Sequence, residues 1–187
     1  MLYHQGTHCL ESENIFLRPF VPQDAPAMFK NWASDHRTTH FLLWDTYETE
    51  SQAARIINQW VAAYAESNVY HWAIVLKEGD DPIGSISVVN SNDRLESCEV
   101  GFCLGSHWWG QGYCTEALSL VLDFLLGQVG YQRVECRHEI NNIASEKVQL
   151  KCGMLREGVL RSAYKNRDGS FSDVILNAIT KDDWEVL

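Results

Sequence analysis

The 187-residue sequence has no C-x-x-C pair and no Cys/His cluster, although it holds six cysteines: Cys9, Cys98, Cys103, Cys114, Cys136 and Cys152. Scatter of this kind supports neither a zinc site nor a disulfide framework, so no metal is expected and the thiols read mainly as small buried residues. Cys103 and Cys114 lie beside a glycine loop, where a nucleophile is a minor alternative that their pattern supports only weakly. Basic residues are also scarce: 15 Lys and Arg against 25 Asp and Glu leave a formal net charge of −10. Nucleic acid and anionic membrane need clustered positive charge, so both are excluded as partners, whereas a cationic partner suits the balance. No apolar run is long enough to span a bilayer, and no charged start leads into an apolar segment with a small-residue cleavage site. A cytoplasmic location follows as the default. Internal repeats and low-complexity linkers are missing too. With 45% hydrophobic residues, the expectation is one compact domain over residues 1–187, its core spanning about 14–180.

Within that length the apolar spacing alternates between two periods. "NIFLRPF" reads as a strand stopped by Pro19 and Pro22, and Ala25, Met28, Phe29 and Trp32 then follow a helical spacing up to Ser34. A second helix is clearer: Ala53, Ile56, Ile57, Trp60, Val61 and Tyr64 form a stripe, opened by a Thr49/Gln52 capping box. That stripe is expected to be core, without function. "YHWAIVLK", "PIGSISVVN" and "ESCEVGFCL" follow as three strands of an antiparallel meander, the first two joined through "EGDD". "GYCTEALSLVLDFLLGQV" is helical, with Leu118, Val121, Leu122 and Leu125 on one face, and "RVECRHEI" is a strand. A strand, helix, strand unit favours parallel neighbours. "NNIASEKVQLKCGM" gives a shorter helix capped near Asn142 and stopped at Gly153, and two strands close the chain around the Asp168-Gly169 turn. The fold class is therefore mixed α/β.

"GSHWWGQGYCTEAL", Gly105 to Leu118, joins the meander to its following helix. Two glycines one residue apart at a helix start lack the Cβ atoms that keep a ligand at a distance, and suggest amide groups offered to an anion. Gly105 and Gly110 have the separation of a P-loop, but Gln111 and Gly112 stand where that motif needs Lys and a hydroxyl residue. A dinucleotide fingerprint fails because position 115 is Thr and the loop follows an antiparallel meander.

The element order and this loop resemble the GCN5-related N-acetyltransferase (GNAT) superfamily. Its pyrophosphate loop, Gln/Arg-x-x-Gly-x-Gly/Ala, is matched by Gly110 and Gly112, with His107 departing from the first position. "LRPFVPQDA", "WWGQGYCTEAL", "NNIASEKVQLKCGM", "REGVLR" and "DGSFSDVILNAI" occur in order and resemble the branch of RimJ/RimL-type ribosomal-protein N-terminal acetyltransferases. The resemblance covers nearly all the chain from Asn14. It implies a mostly antiparallel sheet, splayed between its fourth and fifth strands and flanked by helices.

It further implies that acetyl-CoA, as acyl donor, enters the splay, pairing with the backbone of Phe102, Cys103 and Leu104. The pyrophosphate would rest on amides of Trp109, Gly110, Gln111, Gly112 and Tyr113, and Asn142 is grouped with these cofactor positions. Lys147 and Lys151, at i and i+4, are within reach of a CoA phosphate or are simply solvated. Glu99, opposite the apolar residues of its strand, is the candidate base, with a strand-surface carboxylate as the competing reading. A backbone N–H near Cys103 would hold the oxyanion. Many members carry an acid tyrosine where this chain has Gln149, which leaves Ser145 to hydrogen-bond the CoA sulfur or merely to cap the helix with Asn142. Glu116, at a helix start, is expected to be structural. Trp44 and Tyr47, between the first two helices, are the candidate acceptor pocket or core packing.

The function so implied is acetyl transfer from acetyl-CoA to a primary amine, a protein or peptide α-amine first. Small amines such as polyamines, amino acids or antibiotics are the alternative acceptors, and a weakly catalytic acyl-CoA-binding module is a third reading. Edge-strand pairing in this fold allows a homodimer.

Overall fold

A computed structural model describes residues 1–187. Eight strands form one sheet: β1 Leu10–Glu11, β2 Ile15–Arg18, β3 His71–Leu76, β4 Pro82–Asn92, β5 Ser97–Leu104, β6 Arg133–Glu139, β7 Leu155–Lys165 and β8 Phe171–Thr180, in the order β1-β2-β3-β4-β5-β6-β8-β7. Every neighbouring pair is antiparallel except β5 and β6, which run parallel. That parallel ladder holds only Ser97, Cys98 and Glu99 against Arg133, Val134 and Glu135. From Val100 onward the two strands diverge. The expected splay is present, between β5 and β6 because the two-residue β1 adds a strand the sequence did not announce.

Helices cover both faces, as the alternation in β3 requires. Trp72 and Ile74 join the core under α4, Tyr113–Leu122. Ala73 and Val75 face the other way, into a second cluster with Phe20, Met28, Trp32, Ala53 and Ile57. Leu118, Val121, Leu122 and Leu125 are all buried, and each contributes about 1.5–3 kcal/mol relative to an exposed position. Their burial fixes α4 against the sheet and aims its N-terminus at the splay. The helical path continues as a wide π turn over Asp123–Val129 and stops at Gly130, φ +92°.

The first helical stretch departs from a plain α-helix. It runs as a 3-10 turn at Pro22–Asp24, α1 at Ala25–Met28 and a π turn at Phe29–Ala33, where Ser34 N–H reaches Phe29 O across five residues. The wide turn sinks Trp32 completely, and Asn31 Nδ2 donates to Pro82 O at 2.8 Å. A further short helix, α2 at His36–Thr39, breaks the segment expected to be loop, its Asp35 cap accepting from Arg37 N. In α3, Glu50–Ala63, Gln52 Oε1 accepts from Thr49 N at 3.0 Å, the backbone half of the expected capping box. Asn142 caps α5, Ile143–Lys151, by accepting from Ser145 N at 3.2 Å, and Gly153 ends it at φ +82°. Chain end and sheet meet in α6, Lys181–Trp184.

Candidate active site

The loop after β5 is shaped by three glycines, each for a different reason. A Cβ on Gly105 would collide with Asn31 O and the Trp108 ring, so this glycine serves close packing of the loop on the π turn. Gly110 and Gly112 have open space around them but take φ +77° and +93°, a region L side chains avoid. This reversal leaves the backbone N–H groups of Gly110, Gln111, Gly112, Tyr113 and Cys114 without any protein acceptor. Five such donors at the N-terminus of a buried helix make an anion cradle. Trp109 is 52% exposed, yet its indole N–H donates to Leu104 O at 2.7 Å and folds the loop back on β5. Ser106 Oγ donates to Asp35, which anchors the loop to α2; hydrogen bonds from Ser106 and Arg37 outweigh burial and draw the Asp35 carboxyl down to about 2.

The cradle opens into a cavity of about 360 Å³ that runs from the splayed end of β5 to α5. Every position expected to touch acetyl-CoA except Gln111 lines it: Phe102, Cys103, Leu104, Trp109, Gly110, Gly112, Tyr113 and Asn142. Gln111 stays outside, its side chain donating to His107 O at 3.3 Å. Ser145, Lys147 and Lys151 line the same cavity from α5, and Arg37 from α2. The two lysines and Arg37 put positive charge around an unpartnered amide nest, and the residues present fit a nucleotide diphosphate with an extended thiol arm.

A second cavity of about 590 Å³ meets the first at Phe41, Leu42, Phe102, Cys103 and Asn142. Trp44 and Tyr47 both line it, with ring centroids 5.1 Å apart, and both also pack on the second core cluster. Core packing of these aromatics is thus realised, and they also border open space. Ile56 and Trp60 line it too, so the α3 stripe is not core alone. Arg167, from the β7–β8 turn, donates to Thr39 O at 3.0 Å and Trp44 O at 2.7 Å and so tethers the connection that carries Trp44.

Glu99 lies at the bottom of this second cavity, its side chain 16% exposed. Burial raises its pKa, opposed by Arg137 at 3.5 Å and aided by the negative charge of Glu135. A carboxylate so placed is a better proton acceptor than a solvated one. Arg137, His138 and Tyr164 share the cavity and were not singled out by sequence. The parallel register puts Arg137 two residues beyond the partner of Glu99, a relation visible only once β5 and β6 are paired.

Ser145 belongs to a buried polar chain. Gln149 Oε1 accepts from Asn177 Nδ2 at 2.8 Å and faces His138 Nδ1 at 3.2 Å, and Gln149 Nε2 donates to Ser145 Oγ at 3.0 Å. The unmatched atoms of this group, Asn177 Oδ1 and His138 Nε2, are both acceptors when His138 carries its proton on Nδ1. Turning the Gln149 amide over would leave unmet N–H groups instead, which interiors tolerate less. Ser145 Oγ therefore accepts from Gln149, and its own proton is free. Burial also lowers the His138 pKa, consistent with a neutral ring.

The remaining candidates are settled by their contacts. Glu116 accepts from Ser12 Oγ and Asn14 Nδ2, each at 2.7 Å, and is structural as expected. Burial raises the pKa of Cys103 and Cys114, which disfavours the thiolate at both. Cys98, Cys136 and Cys152 are buried, whereas Cys9 is exposed, contrary to the general expectation for the cysteines. No cluster of His, Cys, Asp and Glu has the arrangement of a metal site.

An amide nest, a splayed parallel pair and two cavities meeting at the splay make up the candidate site. The acetyltransferase (GNAT) domain family model matches residues 14–155, and the chain belongs to that family. It is 28% identical over 172 residues to the uncharacterized N-acetyltransferase YoaA of Bacillus subtilis (strain 168), covering 92% of this chain and 96% of that one. It is 23% identical over 185 residues to the [ribosomal protein uS5]-alanine N-acetyltransferase of Escherichia coli (strain K12), covering 94% and 92%. Among solved structures, the fold matches a GCN5-related N-acetyltransferase from Brucella melitensis with a TM-score of 0.85 at 16% identity, covering 98% and 83%. It also matches the microcin C7 self-immunity acetyltransferase MccE, in complex with acetyl-CoA and AMP, with a TM-score of 0.81 at 19% identity, covering 90% and 93%. The protein is an acetyl-CoA-dependent N-acetyltransferase of GNAT type.

Proposed function

We propose that the acceptor is a protein or peptide α-amine, which reaches the thioester through the second cavity while acetyl-CoA occupies the first. The observation that carries this reading is the junction of two separate cavities at the β5/β6 splay, with Glu99 on the acceptor side and Ser145 on the donor side. An α-amine has a reference pKa of about 8 and needs little help to become neutral, which suits a lone carboxylate with a raised pKa. Relatives named for ribosomal-protein acetylation support a protein acceptor.

The chain's own groups divide the chemistry. Gly110 to Cys114 hold the pyrophosphate on main-chain N–H groups, and Lys147 and Lys151 add charge. Backbone groups of Phe102 to Leu104 align the pantetheine arm, and a backbone N–H near Cys103 meets the oxyanion. Glu99 takes the proton lost by the amine, directly or through a water. Ser145 donates a hydrogen bond to the sulfur as the C–S bond breaks, in place of the tyrosine that Gln149 replaces. Bound acetyl-CoA supplies the activated acyl group. Six free thiols with no disulfide among them support a reducing, cytoplasmic setting.

The test is the rate of CoA release with three acceptor pools: peptides with free N-termini, lysine peptides with blocked N-termini, and polyamines or aminoglycosides. Release confined to the first pool is expected; release only with small amines moves the function to that class, and binding without release leaves an acyl-CoA-binding module. A second expectation concerns the base. Glu99→Gln should lower kcat/KM about 10²-fold near neutral pH, with the deficit shrinking above pH 8 as the amine loses its proton unaided. The wild-type rate should fall as pH drops through the raised Glu99 pKa, and the variant should lose that limb. A pH profile identical in shape to wild type removes Glu99 from the mechanism.

A further inference from the structure

The floor of the second cavity is set by strand register. His71, Ser87 and Gly101 are partners across β3, β4 and β5, and so are Ala73, Ser85 and Cys103 one pleat further along. Partners in a ladder present their side chains on one face. Of these, Ser85, Ser87, Gly101 and Cys103 line the cavity as small residues; Val89 packs over Gly101, and the serines leave space that Leu or Val would have closed. The opposite wall is aromatic: Trp32 from the π turn, Trp60 from α3, and Trp44 with Tyr47 from the connection. Small residues against flat rings leave a slot.

The slot is uncharged. Glu99 and Arg137 are the charged residues lining this cavity, and they lie together at the splay. His71 stays neutral, since burial pushes its pKa down to about 3, and its ring lies 4.0 Å from that of Trp60. Two ring nitrogens of slot residues are buried without a partner, the donor Trp32 Nε1 and His71 Nε2. Buried polar atoms nearly always find partners, so these two, in the same cavity as the unmatched His138 Nε2 at the splay, call for a ligand atom or similar explanation.

The geometry points to an acceptor subsite for an uncharged aromatic group that carries a neutral hydrogen-bonding atom, attached next to the amine that is acetylated. In a peptide this is Tyr or Trp as first residue; in a small molecule, a hydroxyphenyl or indolyl ethylamine. The inference rests on the second cavity receiving the acceptor. Ring packing on Trp44, Tyr47 and Trp60 would provide selectivity for aromatic over aliphatic groups, and the neutral walls would reject a charged side chain because it would be desolvated without a partner.

The experiment measures CoA release with peptides that differ only in a free first residue, Tyr, Trp, Phe, Ala, Lys or Asp, beside tyramine and tryptamine. The expected kcat/KM for Tyr and Trp peptides is at least about tenfold above Ala, with Phe intermediate and Lys and Asp lowest. Ala, Lys or Asp peptides that match or exceed Tyr and Trp overturn the subsite while leaving the peptide reading standing. Reaction of the aromatic amines alone overturns the peptide reading and supports the subsite. No reaction with any of them overturns both. Two variants test the location. Ser87→Leu fills the floor and should erase the aromatic preference with an unchanged KM for acetyl-CoA, and His71→Leu should bring the Tyr peptide down to the Phe rate. Retention of the full preference in both variants overturns the placement.

Discussion

Gly112→Val is expected to raise the Kd for acetyl-CoA by roughly 10- to 100-fold while the protein stays folded. Gly112 is the N-cap of α4 at φ +93°, with nothing near the place a Cβ would occupy. The penalty is therefore conformational: a β-branched residue held at positive φ costs about 1–3 kcal/mol, and the loop can escape it only by rotating the peptide units that present the amides. Each 1.4 kcal/mol is about tenfold in affinity. Because Leu118, Val121, Leu122 and Leu125 bury the body of α4 independently of its first turn, helix content should survive. Calorimetric titration with acetyl-CoA, paired with circular dichroism, separates the two effects. Unchanged affinity in a folded variant would sink the loop assignment. Gly105→Val is a useful contrast, since its Cβ would meet Asn31 O and Trp108, and the damage should appear as lost stability.

The second large effect is expected from Gln149→Glu, which alters almost no volume. In the wild type Gln149 donates to Ser145 Oγ, and Asn177 and His138 hold its carbonyl oxygen in place. A carboxylate keeps the contacts with Asn177 and His138 but reverses the last bond, so the Ser145 proton turns inward and is withheld from the sulfur. A fall in kcat of about 10- to 100-fold is expected, below the usual range for full general-acid catalysis because a CoA thiolate leaves tolerably well alone. The acetyl selenoester of CoA discriminates the cause: its leaving group is less basic, so the deficit should shrink with it, whereas a disordered site would slow both donors alike. Ser145→Ala should reproduce the wild-type-to-variant ratio. A slow Ser145→Ala with an unimpaired Gln149→Glu would keep the serine and discard its orientation, and two unimpaired variants would discard the serine as well.

Much of the site was legible because its signals are local. Gly110 and Gly112 advertise positive φ through the absence of a side chain, and the observed angles are those such residues permit. The capping residues Thr49 and Asn142 sit where short-range hydrogen bonding places them. Helix faces followed from period alone, with Leu118 and Val121 buried as their spacing required. Glu116 read correctly as structural, although its partners Ser12 and Asn14 lie a hundred residues away. The dipole argument located it at the helix start without naming them.

What the sequence hid depends on distance in the chain. Tyr164 and Arg137 join Glu99 in one cavity only because β6, β7 and β8 fold back beside β5. Trp32 reaches the same cavity through a π turn, a one-residue widening that no helical period announces. Gln149 looked like a missing acid and became a clamp, since His138 and Asn177 come from two different strands. The sequence by itself determined the family, the helix and strand periods and the positive-φ glycines of the loop after β5. Each of those is a property of neighbours within a few residues, where backbone sterics and side-chain period act directly. The tertiary structure alone decided which polar groups lost their solvent, where the splay opened two connected cavities and which way the Ser145 proton points. Those outcomes are set by packing between segments far apart in the chain, and burial turns weak surface chemistry into specific chemistry only after that packing exists.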